Sequence, residues 1–191
     1  MTIFLILAPY AAFALLTLVT SVAASLCGAA AICLAVTAFD AARGRVVKIL
    51  SAGSVIVFTA VGAYVILVDP ALRIPGVKFA VDTGILLVIL LSIAIRVPFT
   101  LQYAREVVDA ETAVPPGFIR ANYTITWAWA GAMLLMMLGN AAIIYVPALP
   151  LWSSLLIAFA TRNSAMYFTK WYPEYRKAKH HAPPPNALPE A

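Results

Sequence analysis

The feature that most constrains this chain is a set of long runs without a charged side chain. The first run covers residues 3 to 39, which is 37 positions. A backbone surrounded by lipid has to satisfy its own N–H and C=O groups, and an α-helix does so within one segment. About 20 apolar residues are enough for a helix to cross the hydrocarbon layer. The sequence therefore predicts an all-α fold, a polytopic integral membrane helix bundle.

Composition supports this class and argues against two others. The 191 residues are 63% hydrophobic and 11% charged, with a mean hydropathy of +0.94, whereas soluble domains carry about 25% charged residues. This balance does not suit a water-soluble globular domain. The net charge of +5 does not indicate nucleic acid, because the basic residues lie at the ends of apolar runs and form no basic stripe. The expected partner of this protein is therefore the lipid bilayer.

The apolar runs predict six membrane spans, with five as the alternative. Residues 3–39 are too long for one comfortable helix, so we expect two helices that divide near Thr20 and Ser21. One tilted helix with an interfacial extension would leave five spans in all. The bundle is expected to occupy residues 1–172, and residues 173–191 form a polar, Pro-rich cytoplasmic tail that cannot build a core. The predicted spans are about 3–19, 21–39, 49–68, 78–95, 123–146 and 149–169.

Residues 98–112 predict a short helix lying in the cytoplasmic interface. Pro98 suits the first turn of a helix, where its missing N–H is not needed. At about 100° per residue, a polar stripe then runs beside an apolar stripe, as in helices at a membrane surface. The alternative is an ordinary loop whose residues happen to alternate. The polar stripe comprises Gln102, Arg105, Glu106 and Asp109, and the apolar stripe comprises Phe99, Tyr103, Val107 and Ala110.

Four further side chains are expected to anchor the bundle at the membrane surface. Arg96 closes the fourth predicted span, and Trp171 lies in an aromatic and basic segment after the sixth. Phe99 and Tyr103 belong to the apolar stripe of the predicted interfacial helix. Aromatic and basic side chains are enriched where helices leave the bilayer, so these residues are interpreted as interfacial anchors.

Four polar residues in the predicted spans are the candidates for a functional role: Asp82, Asn140, Arg162 and Asn163. Polar groups at membrane depth are costly and usually face the interior of a bundle. We expect Asp82 to pair with Lys78 one turn away, and Asn140 to join two helices rather than to bind a substrate. Arg162 is expected to snorkel towards the cytoplasm through its long side chain, in which case a lysine should replace it.

The sequence offers no catalytic, cofactor-binding or metal-binding residue. Its two histidines, His180 and His181, are adjacent in the tail, so a haem held between two histidines inside the spans is not expected. The sequence also lacks metal-ligand spacing, a GxSxG motif and a glycine-rich phosphate loop. We therefore expect a non-enzymatic protein without a cofactor.

Four segments occur in an order that resembles a known family. They are FLILAPYAAFALL, RGRVVKIL, KFAVDTGILLVILLSIAIRVPFTLQYA and ITWAWAGAMLLMMLGNAAIIYV. Together they resemble the YciB family, also called intracellular septation protein A. The similarity runs over roughly residues 3 to 170. The tail and the Arg162-Asn163 pair depart from the family pattern.

The resemblance implies a multi-pass protein of the bacterial inner membrane, linked to cell-envelope integrity and septation. Such a protein acts through other inner-membrane proteins of the envelope or division machinery, and a homo-oligomer is compatible with that role. The family supplies no catalytic residue to transfer. Two alternatives stay open: a small membrane transporter or channel, and an accessory subunit of a larger membrane complex. A transporter or channel would need Asp82, Asn140 and Arg162 to converge on one cavity.

The basic residues predict the orientation of the bundle. With six spans, eleven of the thirteen Lys and Arg residues fall on one side, and only Arg73 and Lys78 on the other. Loops rich in Lys and Arg stay in the cytoplasm. Reporter fusions should therefore place residues 40–48, residues 97–121 and the C-terminus in the cytoplasm. A periplasmic C-terminus would refute this arrangement.

Overall fold

The computed structural model describes residues 2–109, 113, 115–146 and 148–181, and the regular elements of this part of the chain are helices. Seven helices lie within the described residues. The first four are α1 (Thr2–Val19), α2 (Val22–Ala42), α3 (Ile49–Leu67) and α4 (Ile74–Ala94). The last three are the short α5 (Phe99–Ala104), then α6 (Pro116–Tyr145) and α7 (Leu151–His181). The predicted all-α class is confirmed.

Four of these helices, α2, α3, α4 and α6, are long and apolar enough to cross a membrane. Helix α1 coincides with the first predicted span, and α7 begins within the last predicted span, 149–169, and continues beyond it. Among the residues whose side chains are described, α1 contributes the apolar stretch Tyr10–Val19, and α7 extends past its apolar part to a basic end at Lys177 and Lys179. Length and composition thus establish four candidate spans.

The division between α1 and α2 lies where the sequence predicts it. Thr20 and Ser21 separate the two helices. The Ser21 Oγ accepts a hydrogen bond from the Ala24 N–H at 3.3 Å and so caps α2. A serine in this position satisfies one of the amide groups that a helix start leaves without a partner.

Helices α2 and α4 end in the same type of turn. The residue after each C-cap has a positive φ, 68° at Gly44 and 62° at Arg96. The next residue returns an N–H to the last full turn: Arg45 donates to the Asp40 carbonyl at 3.0 Å, and Val97 donates to the Ser92 carbonyl at 2.9 Å. This hydrogen-bond pattern is the Schellman motif. It reverses the chain directly after the apolar run and delivers Pro98 to the start of α5.

Helix α5 is shorter than predicted and packs on the bundle. It ends at Ala104, and residues 110–112 of the predicted interfacial helix lie outside the described residues. Phe99 is 5% exposed and contacts Trp129 of α6 edge to face. Phe99, the first residue of the apolar stripe that the sequence predicts to face lipid, therefore packs inside the protein. The reason is that the turn at Arg96 directs α5 back across α4 and α6.

The C-terminal boundary also differs from the prediction. Helix α7 continues through Pro173 to His181, whereas a polar tail was expected from residue 173. Arg176 donates from Nη1 to the Gly117 carbonyl at 2.8 Å, which fixes this part of α7 to the first turn of α6. The expected Pro-rich tail after His181 lies outside the described residues.

Two glycines allow α3 and α4 to approach closely. A Cβ added at Gly53 of α3 would lie 2.5 Å from Val88 Cγ1 of α4. A Cβ added at Gly84 of α4 would lie 2.7 Å from Val57 Cγ1 of α3. Each glycine thus receives a valine from the opposite helix. Small residues at such contacts strengthen packing where lipid provides no hydrophobic drive for helix association.

We predict that Gly84→Ala destabilises the bundle through overpacking, by about 1–3 kcal/mol. Thermal unfolding in detergent measures the loss. Gly131→Ala on α6 is the matched control, because no atom lies within 4 Å of its added Cβ. Adding Gly84→Ala to a Val57→Ala background should cost much less, since the clashing methyl groups are gone. Equal melting temperatures for Gly84→Ala and Gly131→Ala would contradict the close contact.

Candidate functional site

Three of the four polar candidates lie together in the middle of the bundle. Asn140 of α6 is 5% exposed and donates from Nδ2 to Asp82 Oδ2 of α4 at 2.7 Å. Asp82 also interacts electrostatically with Arg162 of α7 and with Lys78. The Asp82–Asn140 hydrogen bond links α4 to α6. We call Asp82, Asn140 and Arg162 the Arg162 cluster.

Arg162 differs from its expected snorkelling position. Its Nε is buried and has no hydrogen-bond partner among the described residues. Its guanidinium carbon lies 5.9 Å from the centre of the Tyr10 ring of α1, within reach of a cation–π contact. Tyr10 in turn shares a 2.7 Å hydrogen bond with Ser54 of α3. The guanidinium of Arg162 therefore lies against α1.

A cavity of about 490 Å³ lies beside the Arg162 cluster, between α6, α7 and α5. Arg162 forms part of its wall, whereas Asp82 and Asn140 do not line it. The lining is largely aromatic and aliphatic, and its two charged side chains are Arg162 and Lys177. The aromatic residues of the lining are Tyr10, Phe99, Tyr103, Phe118 and Trp129. Pockets of about 300–1,000 Å³ with mostly apolar walls and few polar groups are typical of small-molecule sites.

Hydrogen bonds between helices hold the walls of this cavity. Trp129 Nε1 donates to Thr169 Oγ1 at 3.0 Å and joins α6 to α7. The Thr100 hydroxyl of α5 donates to the Asn122 carbonyl at 2.8 Å and shares a 2.7 Å hydrogen bond with Thr126. Each pair satisfies polar groups that would otherwise be buried without partners. The cavity therefore has a defined shape.

A second cluster of charges closes the end of the bundle that holds the α2–α3 turn. Lys48 is 4% exposed, and its Nζ lies 3.0 Å from both Asp40 Oδ2 and Glu106 Oε1. Its ammonium also lies 5.1 Å from the centre of the Tyr103 ring. Lys48 thereby ties the end of α2 to the turn after α5. We call Asp40, Lys48 and Glu106 the Lys48 cluster.

The Lys48 cluster continues through neutral groups. The Ile49 N–H, at the start of α3, donates to Gln102 Oε1 at 2.9 Å, so a side chain of α5 caps α3. Tyr103 and Ser51 share a hydrogen bond of 3.3 Å. Burial would lower the pKa of Lys48, but the hydrogen bonds to Asp40 and Glu106 outweigh it and raise that pKa. Burial raises the pKa of Tyr103, so both groups are protonated at neutral pH.

The other predicted residues lie away from the Arg162 cluster. Asn163 is exposed and donates to the Phe159 carbonyl of its own helix at 2.7 Å. Arg96 is exposed at the end of α4. Trp171 is 41% exposed and stacks on Tyr175, with ring centres 5.0 Å apart. Phe99 and Tyr103, by contrast, line the cavity.

Sequence reasoning missed the Lys48 cluster and most of the cavity wall. One signal was present: the chain has only eight acidic residues, and Asp40 and Glu106 both lie next to basic segments at the ends of apolar runs. Those positions indicate nearby cations but do not show that Lys48 is buried between them. The residues that line the cavity come from six helices, so no local sequence pattern identifies them.

No family model, curated protein or solved structure matches the chain. The resemblance to the YciB family therefore rests on the quoted sequence segments alone, and the septation role that it implies stays a prediction. The described residues include no group of three or more His, Cys, Asp and Glu side chains that could hold a metal. Fold and site together define an all-α protein with four apolar helices of membrane-spanning length and a mainly apolar, partly open cavity.

We predict that removing the charge of Lys48 destabilises the protein far more than removing that of Arg45. Lys48→Gln leaves the buried Asp40 carboxylate without its partner at 3.0 Å, and breaking a buried ion pair costs about 3–5 kcal/mol. Arg45 lies 3.6 Å from the same Asp40, but its side chain is 51% exposed, and exposed pairs contribute about 0–1 kcal/mol. Thermal unfolding in detergent compares the two. Similar losses would show that Lys48 is not held as described.

Proposed function

We propose that this protein binds a single-chain amphiphile, a molecule with one long apolar chain and a small polar head, in the cavity between α5, α6 and α7. The cavity is the observation that supports this function. Its volume of about 490 Å³ lies within the range of about 300–1,000 Å³ common to small-molecule sites. Its walls are mainly apolar, which suits a hydrocarbon chain. The protein acts by binding and moving its ligand, without catalysis.

The composition of the wall favours an amphiphile over a hydrated ion. An ion path needs rings of carbonyl or charged groups to replace the hydration shell, whereas five aromatic side chains and several aliphatic ones line this cavity. Of the alternatives that the sequence left open, a small carrier fits this cavity better than a channel. Of the three polar residues that a transporter or channel would bring to one cavity, Arg162 lines this one, whereas Asp82 and Asn140 do not.

The membrane setting is part of the same proposal. We infer that α1 and α7 also cross the bilayer, which gives six spans with both termini in the cytoplasm. The support is the distribution of basic residues, eleven against two, and the packing of α1 on α2 and of α7 on α6. The resemblance to the YciB family suggests the bacterial inner membrane and a role in envelope integrity and septation, in contact with other division proteins.

Tryptophan quenching tests whether the cavity takes up a ligand. The chain has four tryptophans, and Trp129 lines the cavity. A variant with Phe at the other three positions should lose fluorescence saturably when brominated fatty acid or fatty alcohol is added to protein in vesicles. Bromine quenches tryptophan fluorescence only at short range, so saturable quenching shows that the probe occupies a limited number of binding sites near Trp129.

The matched control keeps Trp127 instead of Trp129. Trp127 lies two residues away on α6, about 3 Å along the helix axis at 1.5 Å per residue, but it is 55% exposed on the outer surface. Its quenching should rise with the probe content of the bilayer and not saturate. Ala121→Leu, which fills the cavity from α6, should abolish saturation at Trp129. Equal, unsaturable quenching of both tryptophans would refute the proposed function.

A further inference from the structure

We infer that Arg162 binds a carboxylate head group, so that the ligand of the cavity is a single-chain carboxylic acid whose chain follows α7 towards Lys177. This inference rests on the proposed function and adds the chemical class and the orientation of the ligand. It depends on three features of the described residues: an unused donor, the balance of charge, and the shape of the cavity.

The unused donor is Nε of Arg162. This atom is buried and has no hydrogen-bond partner among the described residues, although the side chain forms part of the cavity wall. A buried donor without a partner carries its full desolvation penalty. A guanidinium presents its N–H groups as a planar fork that matches the two oxygens of a carboxylate. Because Nε itself is buried, a carboxylate in the cavity pairs with the outer N–H groups of this fork, and it reaches the Nε N–H when the guanidinium turns towards the cavity.

The balance of charge favours an anion with a single negative charge. The ion pairs within 4.0 Å among the described residues do not include Arg162, and Asp82 acts on its charge from farther away. The cavity wall has two charged side chains, and both are positive: Arg162 and Lys177. A monoanionic carboxylate balances the excess at Arg162. A phosphate with two negative charges would meet the repulsion of Asp82 with only one guanidinium to hold it.

The shape of the cavity accommodates an extended chain. Five wall residues of α7 recur every three or four positions and so form one stripe along the helix: Arg162, Met166, Thr169, Pro173 and Lys177. The stripe is about 22 Å long, at 1.5 Å per residue over 15 positions. Met133 and Trp129 of α6 face it across the cavity. A hydrocarbon chain that starts at Arg162 can therefore lie between α6 and α7.

The test compares brominated fatty acid, fatty alcohol and alkyl phosphate of equal chain length in the variant that keeps only Trp129. The acid should bind more tightly than the alcohol. Arg162→Gln should weaken binding of the acid at least about tenfold, as expected for the loss of a charged hydrogen bond, and leave alcohol binding unchanged. Arg162→Lys should restore only part of the affinity, because an ammonium lacks the planar fork. Arg96→Gln is the matched control and should leave acid binding within a factor of about two, because Arg96 is exposed at the end of α4 and does not line the cavity.

The remaining outcomes separate this inference from the proposed function. If acid and alcohol bind equally in the parent protein and in Arg162→Gln, the cavity has a ligand but Arg162 does not hold a carboxylate, which overturns the inference alone. Tighter binding of the alkyl phosphate overturns the carboxylate class. A loss with Lys177→Gln but not with Arg162→Gln overturns the orientation. If none of the three probes binds saturably, the proposed function fails together with the inference. Alcohol binding by Arg162→Gln serves to show that its cavity is intact.

Discussion

The pairing of polar side chains between helices is the constraint on which this bundle depends. Its long helices are apolar on most of their surface, and lipid offers helices little hydrophobic reason to associate. Close packing of small residues, as at Gly53 and Gly84, supplies part of the attraction. Hydrogen bonds between helices supply direction, because a buried polar group without a partner is costly. Three such bonds join α1 to α3, α4 to α6 and α6 to α7: Tyr10–Ser54, Asn140–Asp82 and Trp129–Thr169.

The cavity follows from the way these contacts are distributed. Trp129–Thr169 and Arg176–Gly117 fix α7 to α6 at two points, and α5 inserts its aromatic side chains between them and α4. The Lys48 cluster supports this wall from the other side, since Glu106 directly precedes the lining residues Val107 and Val108. A buried ion pair contributes little net stability compared with apolar packing. Its value here is to hold the segment after α5 in one place beside the cavity.

Sequence reasoning identified Asp82, Asn140 and Arg162 as unusual but could not assign their partners. Spacing along a single helix led to the expected interaction between Lys78 and Asp82, which the structure includes, but not to the hydrogen bond from Asn140, 58 positions away. The snorkelling expected for Arg162 assumed lipid on every side. In the structure, Tyr10 and Asp82 provide a polar environment within reach of the guanidinium. These three residues lie on three different helices, so the sequence around residue 162 does not indicate that they meet.

The sequence by itself determined that the chain is helical, where its apolar segments begin and end, and where α1 gives way to α2. These properties depend on local rules: the length of charge-free runs, the need of a backbone to satisfy itself in lipid, and a serine cap at Ser21. The tertiary structure alone decided that α5 turns inward, that Lys48 is buried between two carboxylates, and that Arg162 faces a cavity. The physical reason is that the apolar segments are apolar all round, so their sequences do not specify which face meets protein. That choice is made by contacts between residues far apart in the chain.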